Sequence, residues 1–418
     1  MKPINLYILN IGNATATSGV DRYLNVLLNE LKNYSSDIHI YKIELIRDRS
    51  LIFHEQIEKE GYIEINIPFP INHDEIIGER YWMRKYNEYV YELIKNIFDK
   101  DKLAIIHLHT LNLIDLALYI KSQTPSKIIT HLHCIPWKNL FNINRKVFND
   151  LYFDSYLSNS KVKNKDLYIT NNCELDSYLC CDRVICVTDC AKTFLKRTIS
   201  ISEKKITVIS NGIYNTYIKQ ERKEEKKKDR VFNCLYVGVL SKSKGIHFIL
   251  EALRKVSVKG YQVNINVAGA YSIKTKNDIE INYPDVSINM LGRIPFETLK
   301  EYYYSSDMGL IASLQEQCSY VAIEMAMFGL PIITTAIDGL DDMFTDGMNA
   351  LKVNTLFSKV FGLRVDTDMY AEKIISLIEN ETLRIELGNN ARKLYKEKFT
   401  SEQMVRETIK VYKELAYE

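Results

Sequence analysis

SLQEQCSYVAIEMAMFGLPIITT, from Ser313 to Thr335, carries two carboxylates, Glu316 and Glu324, with seven residues between them. An apolar strand-like run, Met308 to Ala312, leads in, and an apolar helical run leads out to Gly329-Leu-Pro331. The order strand, short loop, helix aims a helix N-terminus at the carboxyl end of a parallel sheet. Free backbone N–H groups and the helix dipole converge there, which suits an anionic ligand. Glu316 falls in the loop and Glu324 about one turn inside the helix, so one carboxylate can face a sugar and the other a ribose on opposite sides of a bound diphosphate. Taken alone, the pair reads as a surface acid plus a helix-start Glu favoured by the dipole. The flanking sequence is what points to a ligand.

The same grammar repeats along the chain. Ile4 to Leu9 reads as a strand, Gly12 to Gly19 as a small-residue loop, and Val20, Tyr23, Leu24, Leu27, Leu28 and Leu31 as a helical stripe. Further apolar runs follow at Ile38–Ile43, Tyr62–Ile67, Leu103–Ile106, Lys127–Thr130, Arg183–Val187 and Ile206–Ile209. A long amphipathic helix from about Glu79 to Phe98 places Trp82, Tyr86, Tyr89, Val90, Leu93 and Ile97 on one side. Its apolar face reads as a core-facing stripe, with a peripheral membrane contact as the alternative. Near the middle, ERKEEKKKDR (Glu221 to Arg230) holds six basic and four acidic residues and no apolar one, as a solvated linker does. Beyond it the pattern restarts with Phe232–Val237, Val263–Ala268, Ser287–Leu291, Met308–Ala312, Pro331–Thr334 and Ala350–Val353, and it ends in helices. The expectation is an α/β protein of two successive doubly wound, Rossmann-like domains, with ligand in the cleft between their facing strand ends. The first covers residues 1–212, 213–230 is a linker, the second covers 231–400, and a helix over 401–418 packs back on the first.

Composition narrows the classes. At 418 residues the chain exceeds what one core usually holds. A net charge of +2 provides no broad field for nucleic acid or an acidic membrane. No apolar run reaches the ~18 residues that span a bilayer, and MKPINLYILN lacks the apolar core and cleavage site of a secretory signal. A cytoplasmic location is expected, peripheral to the inner membrane face under the alternative reading of the Trp82 helix. Five of the eight cysteines lie between Cys173 and Cys190, without two C-x-x-C pairs, and read as thiols in a reducing compartment.

The segments LYVGVLSKSKG (Leu235–Gly245), LGRIPFETLKEYYYSSDMGLIAS (Leu291–Ser313), the Glu pair with FGLPIITT, and TDGMNALKV (Thr345–Val353) come in an order that resembles GT-B glycosyltransferases of family 4, the retaining glycosyl transferases group 1. SGVDRYLNVL, IIHLHTLN, IITHLHC, RVICVT and VISNGI extend the resemblance through the first half, and the Tyr, Asn and Lys content resembles bacterial members. The resemblance implies that Gly19 approaches the donor diphosphate, where a backbone without Cβ comes close to phosphate oxygens. It implies that His133 lies near the transferred sugar, with His131 its neighbouring competitor and His109 at another strand end. It implies that Lys244 neutralises the departing diphosphate, that Glu316 contacts the donor sugar, and that the N–H groups of Ser319, Tyr320 and Val321 cap the diphosphate. Glu324 is implied to accept the ribose hydroxyls, and Arg293 lies in the loop that recognises the base. One departure is plain: Val239 stands where the family has an Arg, so either Lys242 or Arg293 supplies that charge, or activity is weak or the diphosphate is held differently.

The activity so implied is retaining transfer of a sugar from a nucleotide-diphosphate-sugar to a hydroxyl of a glycan, lipid-linked glycan or peptide. No metal or other cofactor is expected, because no D-x-D or His/carboxylate cluster suggests a divalent ion, and the charge of the leaving diphosphate is left to Lys244 and helix N-termini. The acceptor side would come from the first domain, where Trp137, Lys138, Phe141, Arg145, Lys146 and Phe148 read as an acceptor platform or as a core helix. A GT-B-fold nucleotide-sugar epimerase and a non-catalytic nucleotide-sugar-binding protein are the alternatives, the second motivated by Val239.

Overall fold

The computed structural model describes residues 4–12, 18–34, 37–48, 50–69, 80–99, 102–135, 174–218, 230–358 and 362–417. The stretch Trp137–Phe148, residues 13–17 and 221–229, and Cys173 lie outside them. The chain divides into two compact units. One holds the described residues up to Gly212 together with those from Ser401 on, and the other holds Ile213–Thr400.

In the first unit, eight strands form one sheet among the described residues: β1 (Ile4–Gly12), β2 (Ile38–Ile46), β3 (Glu55–Lys59), β4 (Tyr62–Pro68), β5 (Ala104–Leu108), β6 (Ser126–Leu132), β7 (Arg183–Cys186) and β8 (Ile206–Val208). Their order is β3-β4-β2-β1-β5-β6-β7-β8, and every pair is parallel except β3 with β4. β1 is buried at all positions but Ile11, as a central strand covered on both faces must be. The helices are α1 (Gly19–Leu31), α2 (Arg80–Ile94), α3 (Ile114–Gln123) and α4 (Asp189–Phe194). α1 starts at a reciprocal cap: Ser18 Oγ accepts from Asp21 N at 3.1 Å, and Asp21 Oδ2 accepts from Ser18 N at 2.6 Å.

One strand escaped the apolar pattern, and one expectation needs correcting. β3, EQIEK, has no apolar alternation to betray it; it is an edge strand whose charges suit its exposed side. In α2 the core stripe runs through Val90 and Ile94 with Tyr86 and Leu93 beside it, while Trp82 and Tyr89 are 55% and 49% exposed. At ~100° per residue, both rings sit on the flank of that stripe rather than in it.

The second unit repeats the plan with β9 (Phe232–Val237), β10 (Val263–Ala268), β11 (Ser287–Gly292), β12 (Met308–Ile311), β13 (Ile332–Thr335) and β14 (Leu351–Val353) in the order β11-β10-β9-β12-β13-β14, all parallel. A hairpin of β15 (Thr355–Ser358) and β16 (Gly362–Val365) follows. The helices are α5 (Ile246–Val258), α6 (Ile273–Asn282), α7 (Phe296–Ser305), α8 (Tyr320–Met327), α9 (Asp338–Met343), α10 (Thr367–Glu379) and α11 (Glu381–Lys398). α8 is buried from Ala322 to Met327, which is why its sequence is apolar nearly all round. Arg392 of α11 donates to Met327 O, closing the C-terminus of α8, and its guanidinium lies 3.4 Å from the centre of the Tyr217 ring. Residues entering and leaving this unit pair at Ile213 and Thr400. The chain then forms α12 (Ser401–Tyr417), which packs on α1 in the first unit. No helix among the described residues is long and apolar enough to cross a membrane.

Candidate functional site

In the second unit, β9 and β12 are neighbours whose connections leave in opposite directions, to β10 and to β13. A doubly wound sheet opens a crevice at that point, outside the carboxyl ends of the strands. The loop after β9 forms a single 3₁₀ turn, Lys242–Lys244, whose cap Ser241 accepts from Lys244 N. Gly245 then turns the chain into α5 at φ 71°, so close to β12 that a Cβ would lie 2.0 Å from Ala312 O. Leu314 N donates to Ser243 O at 2.8 Å, tying the two loops together.

The loop after β12 is held from its other side. Thr335 Oγ1 donates to Ser313 O at 2.6 Å, and Gly339 N donates to Glu316 O at 3.0 Å. Gly339 approaches so closely that a Cβ would lie 1.7 Å from Gln317 O. Its predecessor Asp338 takes φ 45°, a left-handed conformation uncommon for a residue with a side chain. These restraints bring Lys244 Nζ to 2.5 Å from Glu316 Oε2, with the two side chains 38% and 17% exposed. The Glu316 charge also adds to burial in pushing the Tyr236 hydroxyl above its ordinary range.

Glu324 lies one turn into α8 and is only 3% exposed. Its Oε2 accepts from Tyr303 OH at 2.6 Å, and the Tyr303 ring stacks on Phe328 with centroids 4.9 Å apart. One carboxylate oxygen is therefore engaged inside the protein. Tyr303 was not singled out by the sequence. Its signal is the spacing from Leu299, the other buried residue of α7 one turn earlier. Replacing Tyr303 by Phe is expected to cost about 1–3 kcal/mol of stability, by removing a buried hydrogen bond to a carboxylate. Urea unfolding of the two proteins measures it, and an unchanged midpoint would show that the bond carries no weight.

Ser319 caps α8, accepting from Ala322 N at 3.4 Å, and Tyr320 and Val321 open the helix, where first-turn N–H groups have no intrahelical acceptor. Lys242 and Arg293 are exposed, the latter just after Gly292 at the end of β11. Val239 is 58% exposed, with its carbonyl accepting from Tyr236 OH at 3.0 Å. Gly19 and His133 belong to the other unit. Gly19 is exposed in the first turn of α1, where Asp21 already supplies a negative group to the helix N-terminus.

His133 is one of four histidines side by side. His107 and His109 alternate along β5 and just beyond it, and His131 and His133 do the same on β6, its parallel neighbour. Ring centroids are 4.2 Å apart within each pair, and 5.2–5.4 Å separate His107 from His131 and His109 from both His131 and His133. Tyr23 of α1 packs on His109, His131 and His133, and Tyr412 of α12 packs on His107. Burial lowers the basicity of all four: His107 and His133 fall to about 3, and His109 and His131 lie well below the ordinary value, so the rings are neutral at neutral pH.

Of the described cysteines, Cys181, Cys186, Cys234 and Cys318 are buried, Cys190 is half-buried, and Cys134 and Cys180 are exposed. Among the described residues, none of them joins a group with the spacing of metal ligands.

Comparison with known proteins agrees with the architecture. Residues 17–215 match the model of Glycosyltransferase Family 4, and residues 218–394 match that of Glycosyl transferases group 1. The chain is 28% identical over 267 residues to the capsular polysaccharide biosynthesis glycosyltransferase CapM of Staphylococcus aureus, covering 60% of this chain and 66% of that protein. It is 26% identical over 210 residues to the phosphatidylinositol N-acetylglucosaminyltransferase GPI3 subunit of Saccharomyces cerevisiae, covering 48% and 44%. The matched stretch thus spans less than two thirds of either relative. Two solved structures share the fold: sucrose-phosphate synthase from Thermosynechococcus elongatus (TM-score 0.72, 16% identity, 99% of both chains) and Anabaena HepE in complex with UDP-glucose (TM-score 0.66, 14% identity, 98% of this chain and 99% of that one). With both halves matched in order and the whole fold shared, the chain belongs to the family 4, group 1 glycosyltransferases of GT-B fold.

Proposed function

We propose that the protein moves a sugar from a nucleotide-diphosphate-sugar to an acceptor hydroxyl, with retention at the anomeric carbon, in the synthesis of a polysaccharide or other glycoconjugate. The observation that carries this reading is the Lys244–Glu316 pair, held at the switch point of the second sheet beside the N-terminus of α8. A cation and open N–H groups converge where a leaving diphosphate gains charge, and a fixed cation there lowers the barrier. Glu316 faces the sugar at the same point, and Glu324, oriented by Tyr303, takes a ribose hydroxyl. Lys242 and Arg293 line the same end of the sheet and supply charge in place of the Arg that Val239 replaces. His133 is assigned to the transferred sugar and Gly19 to the diphosphate by the resemblance alone.

The neighbour HepE was solved with UDP and with UDP-glucose, which supports a nucleotide-sugar as donor. CapM, named for capsular polysaccharide biosynthesis, supports a glycan or lipid-linked glycan as acceptor. Since Lys244 and the helix N-terminus carry the charge of the diphosphate, turnover is expected without added Mg²⁺ or Mn²⁺. The test is a panel of nucleotide-sugars screened by thermal shift, followed by nucleoside diphosphate release with the stabilising donor. Release that depends on acceptor supports transfer. Donor binding without release for any glycan or lipid-linked acceptor would leave only a binding protein, and release or sugar isomerisation without acceptor would point to an epimerase.

A further inference from the structure

The histidine grid of the first unit has a use that the donor chemistry does not claim. We propose that His107, His109 and His131 bind one divalent transition-metal ion, of the zinc or cobalt class, which links β5 to β6. The inference does not rest on the function proposed above.

Each of the three rings offers a nitrogen within 4.8 Å of those of the other two. The rings are 0%, 4% and 1% exposed, in the order His107, His109, His131. Two nitrogens on a tetrahedral ion with bonds of ~2.0–2.1 Å lie ~3.4 Å apart, so ring movements of about an ångström close the set. One pair is there already: His131 Nδ1 and His107 Nε2 are 3.3 Å apart, long for a hydrogen bond. Little is therefore lost if that contact gives way to an ion.

The hydrogen bonds behind the rings have the pattern of a ligating site. His107 Nδ1 meets Tyr412 OH at 2.8 Å, and His109 Nδ1 meets His133 Nε2 at 2.9 Å. A metal-bound histidine typically donates its second N–H to such a partner, which fixes the tautomer and aims the other nitrogen. The rings form two short runs, Tyr412–His107–His131 and His133–His109. Each run ends on a buried nitrogen without a hydrogen-bond partner, Nε2 of His131 and Nε2 of His109. A buried polar atom left unmet is costly, and native proteins keep few of them. If Nδ1–H of His107 donates to Tyr412 and Nδ1–H of His109 to His133, Nε2 of both rings presents a lone pair to an ion, and His131 adds its Nδ1, 3.3 Å from His107 Nε2. The donor set fixes the metal class: neutral imidazoles suit zinc, cobalt, nickel or copper, whereas magnesium and calcium need oxygen ligands. A fourth position is left for water or an anion. His133, half-buried at the edge of the grid, is where an ion would enter.

The experiment uses the full chain without a histidine tag, stripped with chelator and titrated with Co²⁺. The expected result is one equivalent bound, with the visible bands of nitrogen-ligated cobalt, no thiolate charge-transfer band, and displacement by Zn²⁺. His109→Gln and His131→Gln, each checked for native circular dichroism, should weaken Co²⁺ binding about 100-fold or more, while the exposed-site variant His39→Gln leaves it unchanged. If a ligand variant does not fold, His107→Gln replaces it, and the spectrum of the unaltered chain decides by itself. Absence of those bands, a thiolate band, or binding that survives loss of the histidines would overturn the proposal.

Discussion

Replacing Lys244 by Ala lowers kcat by about 10²–10³-fold, or about 2.7–4 kcal/mol of transition-state stabilisation. The expectation follows from how firmly the side chain is placed. The 3₁₀ turn is capped by Ser241 and tied to the next loop through Ser243 O and Leu314 N, so the ammonium is pre-positioned rather than recruited. A substitution that removes an interaction made with the leaving group lowers kcat and kcat/KM together, which acceptor-dependent nucleoside diphosphate release measures. Part of the loss has a second source. Without Lys244 the Glu316 carboxylate, 17% exposed, is left without its cation and repels the incoming diphosphate. Lys244→Ala combined with Glu316→Gln should therefore recover donor affinity relative to Lys244→Ala alone, without recovering kcat. Residues in direct contact couple by about 0.5–3 kcal/mol in such a cycle. Full transfer activity in the doubly substituted protein would remove both residues from the site. Lys244→Arg is not a conservative control, because the planar guanidinium replaces a compact charge on a different stem.

The parallel parts of both sheets were legible in the sequence because each central strand is a largely apolar run, and such runs register wherever they occur. The placement of Glu316 before α8 and Glu324 within it was legible for the same reason: the apolar strand and the apolar helix leave only the stretch between them for a loop. What escaped was non-local. Tyr303 is one of three successive tyrosines, and which of them turns inward toward Glu324 depends on how α7 lies against α8. The edge strand β3 carries too little apolar pattern to register. Trp82 and Tyr89 have the composition of a core stripe but fall to one side of it, an error of angle that spacing alone does not correct. The two His-x-His pairs could be read one by one. That they stand beside each other depends on β5 pairing with β6, which only the sheet order supplies.

Gly245→Ala is expected to cost more than about 4 kcal/mol, the range that marks a specific structural fault rather than an ordinary substitution. Two terms contribute. At φ 71° a side chain costs about 1–2 kcal/mol, and the new Cβ would lie 2.0 Å from Ala312 O and 2.8 Å from Ala312 C. Those atoms are backbone at the end of a central strand, so no flexible side chain can give way. Gly347 separates the two terms. Its φ is 72°, but a Cβ there would meet nothing within 4 Å, so Gly347→Ala should cost only the dihedral term. A unit of this size loses about 2–4 °C of Tm per kcal/mol, which predicts a fall of about 8 °C or more for Gly245→Ala and about 2–8 °C for Gly347→Ala. Thermal unfolding followed by far-UV circular dichroism distinguishes them, and equal shifts would contradict the close approach. Activity should separate as well. A chain that retreats from Ala312 carries Ser243 and Lys244 with it, opening the Leu314–Ser243 bond and the pair with Glu316. Gly245→Ala should therefore lose transfer even below its Tm, whereas Gly347→Ala, far from that contact in the sequence and free of it in space, keeps its kcat.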